Sequence, residues 1–206
     1  MAAIRFMGGK IRPGGGFDAA GNRNAENLIE ALKNIEKFKG SEKALNEIDR
    51  ALQAGEMDAT SASAATYFVT EIDSNFDATT ILRISDAAIE ATEEQRREQG
   101  YDQPGPAYIL GSFERQRNRN GKAIISLYRG HNADTVVEEW YHRAYEDLDL
   151  NSKAKFQAYH RKHHQPAADA LVLKEDGEEV PRLPNMPVDE VFAQEGKEFF
   201  WTGKIK

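Results

Sequence analysis

The chain has 206 residues, enough for one domain or for a domain with a helical appendage, and its 40% hydrophobic to 30% charged balance suits a soluble globular protein. A net charge of −7 argues against a general nucleic-acid binder, and the absence of cysteine excludes a disulfide framework and any thiolate metal site, leaving histidine and carboxylate as metal ligands. No apolar run approaches the ~20 residues that span a bilayer and the N-terminus lacks the apolar core of a signal peptide, so a cytoplasmic protein without a membrane partner is expected.

Residues 1–23 read as a flexible, glycine-rich arm. Gly9-Lys10 resembles the end of a phosphate loop, but Ile11 stands where Ser or Thr is needed, and Gly14-x-Gly16-x-x-Ala19 lacks the strand–turn–helix frame of a dinucleotide site. Residues 24–100 read as a helical region. Leu28, Ile29, Leu32, Ile35 and Phe38 recur at helical spacing up to Gly40. Ser41 is placed to cap a second helix with Ala44, Leu45, Ile48 and Leu52 on one face, closed by Gly55. A third helix is expected from Ser61 to about Ile72. A fourth, from Asp77 or Thr79, would bury Ile81, Leu82, Ile84 and Ala88 and end in a solvated run from Glu90 to Gln99. Proline and glycine between Gly100 and Pro106 break the chain.

Beyond the break, Ala107–Phe113 and Lys122–Arg129 read as strands of a β-hairpin turning at Asn120-Gly121, with Arg115, Arg117 and Arg119 in a solvated tip. A helix opens at Ala133-Asp134-Thr135. A further helix begins at Asn151 or Ser152, carries Phe156, Tyr159 and His160, and ends in a basic tract through His164 before Pro166. Residues 167–173 suit a short helix or strand, 174–179 a charged turn, and 180–187, with three prolines, an extended loop. A last helix is expected from Val188 to Trp201. The fold class is α+β: a helical N-terminal region followed by a domain, 107–206, with a small β-hairpin or sheet and packed helices.

The helix opened by Thr135 carries Glu138-Glu139-Trp140-Tyr141-His142. Helical geometry sets Glu138 and His142 one turn apart on the same face, with Glu139 on the adjacent face. That is the geometry of H-E-x-x-H, in which two histidines grip a metal and the glutamate activates water, with Glu138 in the first ligand position. The same residues admit plainer readings. Thr135-x-x-Glu138 has the form of a capping box, Glu138 and His142 form an i, i+4 pair worth ~0.2–0.5 kcal/mol, and Glu139 alone would be a solvated acid. Glu190, beside Asp189 in the first turn of a helix, suits the positive end of the helix dipole. Trp140, Tyr141 and Tyr145 read as packing residues. His160 and His164 form either an i, i+4 metal clip or a solvent-facing basic helix end, and His131 lies just ahead of the motif.

The run from Gly121 to Gly130, then Ala133-Asp134-Thr135 and E-E-x-x-H, followed by Glu190-Val191-Phe192-Ala193 and Phe199-Phe200-Trp201-Thr202-Gly203-Lys204, resembles the zincin-like, gluzincin-type metallopeptidase domains of phage and mobile-element polyvalent proteins. The resemblance covers 107–206 and leaves the N-terminal helices outside it. It implies that His142 and Glu190 are metal ligands, that Glu139 is the general base, and that Glu138 stands where the first histidine ligand belongs. It implies zinc as cofactor, hydrolysis of peptide bonds, and a protein or peptide partner. Two carboxylates and one imidazole leave a less positive site, which polarises water less and suits manganese or calcium better than the usual zincin set. A second expectation follows from that departure: a pseudoenzyme, a non-catalytic protein-binding factor on the same scaffold, such as an inhibitor of a host defence system.

Overall fold

The structure, a computed structural model, describes residues 28, 30–92, 107–115, 121–163, 171–173, 179–181 and 187–203, with the side chains of 171–173 and 179–181 left aside. The arm at 1–23, the run 93–106, the hairpin tip 116–120 and the end of the basic tract at His164 lie outside the described residues.

The α+β architecture is as the sequence indicates. Residues 30–33 are helical and a 3₁₀ turn follows at Ile35–Lys37. Helix α1 runs Glu42–Gln53 and buries Ala44, Leu45, Ile48 and Ala51. Ser41 sits at its N-cap position but does not cap it; the hydroxyl donates to Val69 O at 2.6 Å. Asp77 does the capping from a distance, accepting from the backbone amides of Lys43 and Ala44 at 2.6 and 3.1 Å. Helix α2, Ala59–Tyr67, opens on Asp58, whose carboxylate accepts from Thr60 N and Ser61 N, both at 2.8 Å, and from Ser61 Oγ at 2.9 Å. These bonds hold the Asp58 carboxyl below its ordinary range against the opposing effect of burial. Asp58→Ala should cost about 1 kcal/mol of unfolding free energy, measurable by urea titration at pH 7.

A π-helical turn, Phe68–Ile72, continues α2, and a four-residue helix α3, Phe76–Thr79, ends where a long fourth helix was expected. Instead Thr80–Ile84 is strand β1. Thr80, Leu82 and Ile84 are buried while Arg83 is exposed, the period-2 pattern of a half-buried strand, and three of its five residues are β-branched. β1 pairs in parallel with β5, Ala123–Leu127, and β4, Gly111–Glu114, pairs antiparallel with β5 from the other side, giving the order β1-β5-β4. The expected hairpin is therefore present between β4 and β5. The segment before it, β3 (Tyr108–Ile109), turns away to pair with β2 (Ile89–Glu90). Further on, β6 (Leu171–Leu173) and β7 (Glu179–Pro181) pair antiparallel, so the first residues of the expected 180–187 loop belong to a strand.

Helix α4, Ala133–Asp147, is the centre of the fold. It begins with Asn132, whose Oδ1 accepts from Thr135 N at 3.1 Å while Thr135 Oγ1 reaches back to the Asn132 amide at 3.5 Å. The capping box is thus Asn132 with Thr135, and Glu138 takes no part in it. One face of α4 enters the core. Trp140 is stacked between Phe68 and Phe76, with ring centroids 4.9 Å away on each. Arg143, also buried, bonds Asp73 at 2.7 Å and Thr79 Oγ1 at 3.0 Å, tying α4 to the chain between α2 and β1. Residues from both sides of the 100–106 break share this core and the β1-β5-β4 sheet. Helices α5 (Leu150–His163) and α6 (Val188–Thr202) complete it. No helix among the described residues is long and apolar enough to cross a membrane.

Candidate metal centre

Helix α6 lies antiparallel along α4. Phe192 meets Tyr145 and Tyr141 with ring centroids 5.4 and 6.2 Å apart, and one turn later Gly196 faces Tyr141. The approach there is so close that a Cβ on Gly196 would lie 2.2 Å from Tyr141 Cδ1. Only a residue without a side chain lets the Tyr141 ring lie directly on the α6 backbone. Glu190, Gln194 and Lys197 recur at i, i+4 and i+7 on α6, and this face meets Glu138 and His142 of α4.

The result is a cluster of four charged groups. His142 Nε2 is 3.3 Å from Glu190 Oε2, and Gln194 Nε2 donates to Glu190 Oε1 at 3.2 Å. The ammonium of Lys197 bonds Glu138 Oε2. Glu138 therefore does not pair with His142 along its own helix; each residue of the i, i+4 pair takes a partner from α6. Burial opposes a charge on His142, but the hydrogen bond to Glu190 and the charges of Glu139, Glu190 and Asp189 outweigh it and hold the imidazolium above its ordinary range. The His142 bond likewise holds the Glu190 carboxyl down, against the effect of its burial.

Glu138, His142 and Glu190 each offer a ligand atom, and the three atoms lie within 4.8 Å of one another, all half-buried. This group can hold a metal ion. Donors set tetrahedrally around a small ion at ~2.0–2.2 Å lie ~3.3–3.6 Å apart, whereas a larger, oxygen-preferring cation at ~2.3–2.6 Å with flexible geometry tolerates wider spacings. The two carboxylates favour a harder cation, and zinc would need the three donors drawn closer together than their outer limit of 4.8 Å.

Glu139 is not the solvated acid of the plainer reading. It is 9% exposed and lies under strand β4, where a Cβ on Gly111 would sit 2.7 Å from Glu139 Oε1 and 2.8 Å from Thr135 Cγ2. Burial drives its carboxyl up to about 7. His142 and Lys197 pull the other way, Glu138 and Glu190 add to the rise, and no hydrogen bond offsets it.

The remaining candidates fall elsewhere. His131 is buried with Nδ1 2.7 Å from Tyr128 O and stands apart from the triad. Tyr145 packs against Phe156 and Phe192. His160 is buried rather than solvent-facing, and Arg115 pairs with Glu146 at 3.0 Å. Two members of the site were missed from the sequence, Gln194 and Lys197. Their spacing from Glu190 was the available signal. No family model, no curated protein and no solved structure matches this chain.

Proposed function

We propose that this is a divergent metallopeptidase-like protein of the phage and mobile-element kind, with a cation held by Glu138, His142 and Glu190 and with Glu139 as its acid–base group. The observation behind the proposal is the convergence of Glu190, from the last helix, on His142 and Glu138 of α4. When bound, the cation would supply Lewis acidity toward a carbonyl oxygen and a water molecule. Glu139, with a carboxyl that titrates near neutrality, is suited to take a proton from water and return it to a leaving amine. Strand β4, whose Gly111 lies against Glu139, is an edge of the sheet among the described residues and offers an extended peptide a strand to pair with.

One observation favours the second reading, a protein-binding factor that has discarded the chemistry: Lys197 already neutralises Glu138. Metal titration separates the two. The parent is expected to bind one manganese ion per chain, His142→Ala to lose it, and Glu138→His to shift the preference toward zinc. If the parent binds neither ion while Glu138→His gains zinc, the frame is retained without its chemistry and the binding factor is the better reading.

A further inference from the structure

The charges of the cluster are balanced by the chain itself. Each carboxylate has one oxygen on a nitrogen of the chain: Glu138 on the Lys197 ammonium and Glu190 on His142 Nε2. Lys197 and Glu138 are about a quarter exposed, so their pairing is only partly screened by water. Lys197 reaches Glu138 from the residue after Gly196, beside the place where the Tyr141 ring packs on α6.

We propose that Lys197 is a tethered cation that competes with a divalent ion for Glu138 and so sets the affinity of the site. This inference rests on the metal-centre reading above. A lysine is suited to the part. It is a compact point charge on a flexible four-carbon stem and can leave for solvent without disturbing the helix that bears it. With Lys197 in place, Glu138 and Glu190 are held together without an external ion. A divalent ion seated among Glu138, His142 and Glu190 would stand close to the ammonium, and like charges ~4 Å apart repel strongly even at an effective dielectric of ~20. The ion and the ammonium therefore compete for the charge of Glu138, and Lys197 withdraws as the ion seats. Binding is weakened for every cation and least for those whose charge best replaces the ammonium.

The test is manganese affinity, read by electron paramagnetic resonance of the free ion. The proteins compared are the parent chain, Lys197→Met, Lys197→Gln and Lys197→Arg, each with and without His142→Ala. Thermal melts with and without the ion accompany each titration. Lys197→Met and Lys197→Gln should bind manganese at least about tenfold more tightly than the parent. They should melt lower than the parent without the ion and gain more from it. Lys197→Arg should stay near the parent, and His142→Ala should remove binding throughout. A purely structural lysine would lower the melting point without tightening the ion. That result, with binding still dependent on His142, overturns the competition and leaves the metal centre standing. No manganese in any variant, the lysine-free ones included, overturns both.

Discussion

Metal-free Glu139→Gln should be more stable than the parent at pH 8, by about 3 kcal/mol at most. The interval between the ordinary 4.5 and about 7 sets this size. In the folded chain the carboxyl is buried without a hydrogen bond, so its neutral form is favoured. Below about pH 4.5 both folded and unfolded chains hold the proton, and this group's contribution to stability is fully present. As pH rises toward 7, the unfolded chain releases a proton that the folded chain keeps, and the contribution is lost through the folded value. Glutamine imitates the neutral carboxyl at every pH. Parent and variant should therefore unfold alike near pH 4.5, in chelator, and diverge by pH 8 in guanidinium titrations. The same variant should still bind manganese and should cleave no peptide. Equal gaps at both pH values would show that Glu139 is not held neutral by burial.

Gly196→Ala is expected to take the candidate metal site apart without removing any of its residues. The added methyl would meet the Tyr141 ring at 2.2 Å, and because that ring is itself packed against Phe68 and Phe192 the expected response is a shift of α6 off α4. Overpacking of this kind costs about 1–3 kcal/mol. The larger consequence is geometric. Glu190 and Lys197 ride on α6 and Glu138 and His142 on α4, so a shift of the helices lengthens the 3.3 Å His142–Glu190 contact and opens the triad. Manganese affinity should fall at least tenfold, and Tyr141→Leu in the same chain should restore part of it by making room for the methyl. Unchanged affinity in Gly196→Ala would mean that the close approach does not position the ligands.

Much of this arrangement was legible before any coordinates. The i, i+4 spacing of Glu138 and His142 puts them on one helix face, Glu190 joined them only as what the resemblance implies, and the fold brings these three together. What was not legible depended on partners distant in sequence. Thr80 to Ile84 carries a pattern that a helix or a strand can use, and the pairing with β5 decides it. Ser41 has the right residue type and position for a cap, yet its hydroxyl serves Val69 because Asp77 is brought to the helix end from elsewhere. Glu138 fits a capping box three residues after Thr135, but Asn132 precedes Thr135 and starts the helix earlier. Nothing in the sequence singles out Lys197; only the packing of α6 on α4 sets its ammonium on Glu138.

The most direct measurement is anomalous diffraction at the manganese edge from crystals of the full chain grown with manganese. The expected result is one peak bound by Glu138, His142 and Glu190 at about 2.0–2.6 Å, with the Lys197 ammonium withdrawn from Glu138. A map with no peak there, and Lys197 still seated on Glu138 at saturating manganese, would contradict the assignment of a metal centre.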